Sequence, residues 1–282
     1  PIPPSLGFRT NPLANIGEVL NSGVEVALNL SAINRPNLRW DVRAGANTLH
    51  NELTSLGDQK PFALGGAGRT LVGQQLGVFV SKKIQSIDVA NSKVIVSDTL
   101  YPMGNLFPSL EWNLTNTVTL FKNFRFNALL DAKRDVLVQN FTAYFRETQL
   151  VRSNLRLDPT ALTPYERLRH YGDLTPGKPA FVTTAGNSAT VSDVIDAYLE
   201  DGSFVRLREL SGTFTLPNTV LRGANRFVSG ASVTLAIQNV ALWTDYTGAD
   251  PEINAQTNAF SRQDFLTLPN PRKTVLRFNL NF

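Results

Sequence analysis

The sequence predicts an all-β fold, an antiparallel transmembrane β-barrel segment, on three observations. Side-chain polarity alternates with period two in stretch after stretch, as it does where a strand turns one face to lipid and the other to water. The connections between these stretches are either tight turns or long polar loops, the arrangement of outer-membrane barrels with short periplasmic turns and long extracellular loops. No apolar run approaches the roughly 20 residues a spanning helix needs, so helices are excluded as the crossing element and strands are not.

Composition adds exclusions. The 282 residues carry 27 Lys and Arg against 23 Asp and Glu, a mild surplus with no basic run or stripe, so a nucleic-acid partner is not expected. Cysteine is absent, which removes disulfides, thiolate metal sites and thiol nucleophiles. His50 and His170 stand far apart and supply neither a metal centre nor a His-dependent triad, so no cofactor and no catalytic or metal residues are expected. The chain begins at Pro1 with no signal peptide, which predicts a processed or excised piece of something longer.

The strands follow in order. Val24, Val26, Leu28 and Leu30 share one face against Glu25, Ala27 and Asn29, and Leu38, Trp40, Val42 and Ala44 oppose Arg39, Asp41, Arg43 and Gly45. A short strand over Arg69–Val72 and a weaker one over Leu76–Ile87 come next. The clearest alternation sets Leu110, Trp112, Leu114, Val118 and Leu120 against Glu111, Asn113, Thr115, Thr117 and Thr119, and Phe124–Leu130 continues it less sharply. Two stretches change phase partway, from Val205 and Leu207 to Leu210, Phe214 and Leu216, and from Val233, Leu235 and Ile237 to Val240 and Leu242; a β-bulge in each is the simplest account. The last strand opposes Leu276, Phe278, Leu280 and Phe282 to Arg277, Asn279 and Asn281.

Tight connections are expected at 34–37, 121–123 and, around Gly73, at 72–75; long ones at 51–67, 88–108, 131–202 and 243–271. Nine spans then place every short connection on one side, with 217–230 long for a periplasmic turn. Residues 1–22 are read as an extracellular loop segment and 23–282 as about nine barrel strands, ending at Phe282 in the periplasm. A soluble β-sandwich alternates in the same way. Three features favour the barrel: charges in mid-strand (Glu25, Arg43, Glu111, Arg125), loops too long for a compact sandwich, and aromatics near strand ends (Trp40, Phe107, Phe124, Phe204, Trp243, Phe282) where an interfacial girdle would place them.

Specific segments carry a family likeness. Asn15-Ile16-Gly17-Glu18 with Asn21 to Glu25, then Val72-Gly73-Gln74-Gln75-Leu76-Gly77-Val78-Phe79, resemble the C-terminal half of SusC/RagA-type TonB-dependent receptors. So do Glu200 to Arg208, opening Glu-Asp-Gly-Ser-Phe, and Gln238-Asn239 followed by Tyr246-Thr247-Gly248-Ala249-Asp250-Pro251-Glu252; Pro269 to Arg272 leading into a strand that ends on Phe282 completes the series. The matches run in the family's order over nearly the whole chain, the Asp-Gly-Ser-Phe and Tyr-Thr-Gly-x-Asp-Pro-Glu segments being the most specific. Two stretches depart, 78–85, which lacks the usual Tyr/Gly-rich sequence after Phe79, and 131–190, an unusual insert, so ligand-contact residues do not carry over there.

The resemblance implies the outer membrane of a Gram-negative bacterium and a barrel of about 22 strands, of which this chain would be the C-terminal part. The plug domain and N-terminal strands would lie outside it. The implied partners are outer-membrane lipids, TonB through that absent part, the remainder of the same receptor and a SusD-like surface lipoprotein. The implied activity is TonB-dependent import of bulky nutrients, glycan or peptide, with no bond chemistry. A non-transporting structural or adhesive barrel, and a soluble all-β glycan-acting enzyme, are the alternatives. The enzyme needs two placed carboxylates, and the adjacent pairs Glu200-Asp201 and Asp250/Glu252 are read as lying in turns.

Three local features are singled out. Leu276, Phe278, Leu280 and Phe282 form either an ordinary lipid-facing strand or, as the resemblance implies, the C-terminal aromatic signal for barrel assembly. In the motif loop of Tyr246, Gly248, Asp250, Pro251 and Glu252, the carboxylates either hold a cation or, the favoured reading, cap a turn made by an Asp before a Pro. Leu162–Tyr171 reads as a short helix capped by Thr163, either packing the long loop down or contributing to a lid or a lipoprotein contact. Loop aromatics (Tyr101, Phe107, Tyr144, Phe145, Tyr165, Phe181, Trp243) either stack on sugars or anchor loops to one another.

Overall fold

The strands of the computed structural model run, in chain order, β1 (Glu18–Ser22), β2 (Glu25–Arg35), β3 (Leu38–Thr48), β4 (His50–Ser55), β5 (Ala63–Gly65), β6 (Gly68–Arg69), β7 (Val78–Ser81), β8 (Ile84–Asp88), β9 (Lys93–Val96) and β10 (Tyr101–Gly104). There follow β11 (Leu110–Leu120), β12 (Phe124–Arg134), β13 (Leu137–Asn140), α1 (Phe141–Phe145), β14 (Ala180–Thr183), β15 (Ser188–Ala189), β16 (Leu199–Asp201), β17 (Phe204–Thr215), α2 (Asn218–Leu221), β18 (Gly230–Thr244), β19 (Gln263–Asp264) and β20 (Lys273–Asn281). The structure describes residues 15–65, 67–88, 91, 93–145, 180–189, 195, 198–221, 228–255 and 260–282.

One antiparallel sheet of seven strands, in the order β2-β3-β11-β12-β17-β18-β20, organises everything else. Its strands are 9 to 15 residues long, near the 9–11 or so that cross a bilayer when tilted. The alternation read from the sequence becomes rows across the sheet. Leu28, Ala44, Leu114, Leu130, Leu207 and Ala241 are paired in one row, and Ser31, Asp41, Thr117, Asn127 and Ser211 in a row of the opposite face. On the apolar face the side chains stay open, with Leu28 52% and Phe278 67% exposed. A continuous apolar surface of this kind meets lipid or a partner, not water.

The hairpin ends divide as the sequence predicts. Pro36-Asn37 joins β2 to β3 and Phe121–Asn123 joins β11 to β12. In the second turn Phe121 and Lys122 both adopt positive φ, 49° and 64°, the mirror-image turn whose twist matches that of the flanking strands. Residues 216–229, with α2, join β17 to β18 at the same end. The long connections all lie at the other end. They carry the remaining strands as small sheets ordered β1-β4, β10-β7-β6-β5, β15-β14-β9-β8 and β16-β13-β19. The buried core sits here as well. Phe79, Leu106, Val94, Val96, Val136 and Val138 are wholly enclosed, while the wall strands contribute mainly Phe204 and Ala132 near their loop ends.

Four expectations are corrected. The segments Arg69–Val72 and Leu76–Ile87 do not cross with the wall, so it has seven strands in place of nine; residues 78–81 are buried on both faces and belong to β7, which cannot offer a face to lipid. Removing two spans preserves the parity, and the turn at Gly73 (φ 81°) falls at the long-loop end. The phase change holds in β17, where Arg208 is the extra residue between Leu207 and Glu209. In β18 two residues, Asn239 and Val240, are looped in, so Ala241 and Trp243 keep the outward side and Leu242 joins Arg206 in a polar-face row. Among the expected girdle aromatics, Trp40, Phe124, Trp243 and Phe282 are exposed, but Phe204 is buried and Phe107 packs edge-on against Phe260. Glu200 and Asp201 lie in strand β16, not in a turn. The segment 162–171, with the expected helix, falls outside the described residues.

Candidate functional site

The two most specific motif segments, over forty residues apart in sequence, meet at the long-loop end of β17 and β18. In the first, Gly202 N–H donates to Val136 O at 2.8 Å and Asp201 Oδ1 accepts the Ser203 N–H at 2.8 Å, closing a turn that swings Phe204 inward. A Cβ at Gly202 would lie 2.5 Å from Val138 Cγ2, so the segment admits no side chain there. The second is tied to the first by Thr244 Oγ1, which donates to Ser203 O at 2.8 Å, and by Glu200, whose carboxylate accepts from the Thr247 N–H at 2.8 Å and its hydroxyl at 2.7 Å. Asn140 Nδ2 adds a third bond to Glu200 at 3.0 Å.

Gly248 lies flat against Tyr246: a Cβ there would come within 2.4 Å of ring atom Cε1. The ring is thereby free to reach inward, where its hydroxyl donates to Asp264 Oδ2 at 2.9 Å. Burial pushes this phenol well above its ordinary value, with the Asp264 carboxylate adding to the shift. Asp250 uses one oxygen twice. Oδ1 accepts the Glu252 N–H at 2.9 Å, the turn expected of an Asp before a Pro, and accepts from Arg206 Nη2 at 2.5 Å.

Arg206 and Arg208 turn this loop into a clamp. Both Arg206 and Asp250 are almost fully buried, at 4% and 2% side-chain exposure. Arg208 grips Asp131 with Nε at 2.6 Å and Nη2 at 2.7 Å, and its Nη2 also reaches Glu252 Oε1 at 2.5 Å. Arg206 Nε lies 3.1 Å from Glu252 Oε2 but is misaligned for a hydrogen bond, so this contact is charge against charge. Phe204 supports both guanidinium groups from its ring face, at 5.5 and 5.9 Å. Arg262 completes the cluster through Nη2 to Pro251 O at 3.0 Å; burial lowers its pKa and the Glu252 charge opposes that shift.

Chemically, the arrangement holds a loop against a wall. The carboxylates Asp250 and Glu252 face arginines, and among the described residues no group of three or more metal-ligating side chains gathers. Sequence reasoning found the loop but missed the clamp. The signal was Arg206 and Arg208 directly after Phe204, cations in a strand otherwise free to bury apolar groups. The aromatic question is settled in part: Phe141 contacts Tyr144 and Phe265, and Phe145 contacts Phe265, at centroid distances of 4.8 to 5.4 Å, so these rings anchor loops to one another. Tyr101 sits under Lys83 Nζ at 5.0 Å; Tyr165 and the ring of Phe181 fall outside the described residues.

At the other end of the chain, Leu276, Phe278 and Leu280 of β20 pair with Leu235, Val233 and Ala231, and all three project from the apolar face with Phe282 beyond them. On strands β2, β3, β11 and β12, away from both regions, the polar face holds a concavity of about 700 Å³ lined by Asn29, Ser31, Arg39, Arg43, Thr115 and Arg125 among others.

No family model matches the chain. A TonB-dependent receptor of Formosa agariphila is 25% identical over 323 residues, covering all of this chain and 31% of its own length. A second receptor from that organism is 24% identical and covers the chain fully. TonB-dependent receptor SusC of Bacteroides thetaiotaomicron is 22% identical over 92% of the chain and 26% of its own length. Among solved structures, the RagAB peptide importer in its closed-closed state superposes with a TM-score of 0.73 at 21% identity, and the RagAB peptide transporter with 0.71 at 20%, each over the whole chain. The chain spans less than a third of the length of the curated relatives it matches. Motifs in family order, similarity to these receptors over the whole chain and a barrel-wall sheet agree: the chain resembles the SusC/RagA-type TonB-dependent receptors throughout and has the fold of part of their barrel.

Proposed function

We propose that this chain forms part of the wall of an outer-membrane importer of bulky nutrients, of the glycan or peptide class, energised through TonB. The observation that carries the reading is the seven-stranded sheet, apolar and open on one face and lined with Arg, Asp, Thr and Asn on the other. Such a wall separates lipid from a wet passage and performs no bond chemistry. The short hairpins then face the periplasm, and the loop sheets, held by the Arg206 clamp, form the outer surface. That surface is where a SusD-like lipoprotein would dock. The outward row ending on Phe282 serves as the assembly signal, and the plug and the other strands come from the rest of the receptor.

Uptake tests it. Inactivating the full-length gene in its own host is expected to abolish entry of labelled oligosaccharides or of labelled oligopeptides, and a protonophore is expected to do the same in the intact strain. Unchanged uptake of both classes would overturn the reading.

A further inference from the structure

The three connections at the short-turn end carry cations only. Residues 34–37, 121–123 and 216–229 hold Arg35, Lys122, Arg222 and Arg226 and no Asp or Glu. Two of these cations lie on neighbouring hairpins. Arg35 pairs with Leu38 across the turn between β2 and β3, which places it at the end of an outward row continued by Leu120, Phe124 and Phe214. Lys122 stands in the turn between β11 and β12, and both cations line one hollow of about 540 Å³ together with Leu38. Arg39 and Arg125 border it from the polar face, Arg39 being held by Asp41 at 2.7 Å. Arg35 and Lys122 have no ion-pair partner among the described residues.

The second turn is built against backbone preference. Phe121 takes a positive φ of 49°, where Asn or Gly is favoured and a bulky side chain is strained. It gains little packing in return, being 64% exposed. Strain of this kind points to a task for the side chain. Phe121 and Lys122 carry an aromatic ring and an ammonium group past the end of the apolar row, a pairing that anchors chains at a membrane interface. Next to them Phe124 and Phe214 pack ring against ring at 4.7 Å and continue the surface into the lipid-facing wall.

We propose that the hollow between Arg35 and Lys122 binds an anionic phospholipid of the periplasmic leaflet, its phosphate between the two cations and its acyl chains on Leu38, Leu120 and Phe124. The proposal rests on the reading of the sheet as a receptor wall. The juxtaposition selects this occupant. A soluble anion would use the cations alone, and a body in the lumen would use the polar face alone. Here unpaired cations border a row of apolar side chains open on the lipid side, and a molecule with an anionic head and hydrocarbon tails matches both. Each cation at such a surface strengthens attachment to anionic lipid. Arg35, fixed beside a tight hairpin turn, is also placed to hold a phosphate through two parallel hydrogen bonds.

The full-length receptor in lipid nanodiscs tests it, with trace phosphatidylglycerol or phosphatidylcholine carrying a photoreactive group near the headgroup. Phosphatidylglycerol is expected to label residues 34–38 and 121–124, mapped by mass spectrometry, roughly tenfold more than phosphatidylcholine does, as two cations facing an anionic lipid allow. The excess is expected to vanish in R35Q/K122Q and to persist in R35K/K122R. Equal labelling by the two lipids, no label at these turns because protein fills the hollow, or an excess that survives in R35Q/K122Q would overturn the proposal and leave the importer reading intact. A receptor that cannot be incorporated into a bilayer would instead overturn the wall reading. The two lipids are compared on the unaltered receptor, so misfolding of R35Q/K122Q does not mask the answer.

Discussion

The indole N–H of Trp40 donates to Asn116 Oδ1 at 3.3 Å, joining two outward-facing side chains on neighbouring strands. Asn116 is the one polar member of the outward set of β11, flanked by Leu114 and Val118. Facing lipid, its amide has no water to turn to, and Trp40 supplies a donor at a strand position that also suits an interfacial ring. Trp40→Phe keeps the ring and removes the donor. The full-length receptor is expected to lose about 1–3 kcal/mol in urea unfolding from bilayers. Adding Asn116→Leu should restore most of the loss; an additive double mutant would show that the two side chains act independently.

Asp250→Asn leaves Arg206 buried without its counter-charge. Breaking a buried pair by removing one partner costs about 3–5 kcal/mol, which here is expected as local opening of residues 245–255. Hydrogen exchange of that loop should accelerate strongly. Glu252→Gln, at a more exposed carboxylate, should have the smaller effect.

Gly248→Ala drives a methyl group into the Tyr246 ring. The ring must swing away from Asp264, and a loss of about 1–3 kcal/mol is expected from overpacking of this order. Limited proteolysis between 245 and 265 reads it. Cleavage no faster than in the unaltered receptor would show that the loop absorbs the methyl by shifting as a whole.

Tyr246 gives the loop an alkaline limit. Its folded pKa is raised, so the folded state holds the proton after the unfolded state has released it near pH 10. Stability is therefore full below about pH 10 and declines as pH rises past that value. Proteolytic sensitivity of the loop is expected to climb above pH 10. In Tyr246→Phe, which lacks the titrating group, the loop should be looser at neutral pH and respond less to alkali.

Removing Phe282, or replacing it by Ser, is expected to reduce insertion of the full-length receptor severalfold, measured by heat-modifiable migration of the outer-membrane fraction. Normal insertion would reduce the outward row of β20 to ordinary lipid contact.

The wall was legible in the sequence because lipid imposes the rule on every residue: one apolar side and one polar side, repeated over eleven residues in β11 and β12. The loop sheets were not. Val78 to Ser81 are enclosed on both faces, so no periodicity distinguishes them from a weak crossing strand, and two such segments were expected in the wall. The bulge at Arg208 was readable from a shift of phase; the paired insertion in β18 was not, because two looped residues restore the phase they interrupt. At the site, the turn made by Asp250 and Pro251 follows from local chemistry. Its anchor does not, since Arg206 lies 44 residues away and only the folded sheet brings it under the loop.

The bulge also decides where this wall tolerates a change of length. Deleting Leu210 would send Phe214 to the wet side and Thr213 into lipid, reversing the rest of β17. Deleting Arg208 would leave every other side chain of the strand where it is, because Leu207 and Glu209 already lie on opposite faces as immediate neighbours should. In β18 the equivalent change is two residues, Asn239 and Val240 together. Among homologous receptors, gains and losses inside these strands should therefore be single beside Arg208, double at Asn239, and otherwise confined to even numbers.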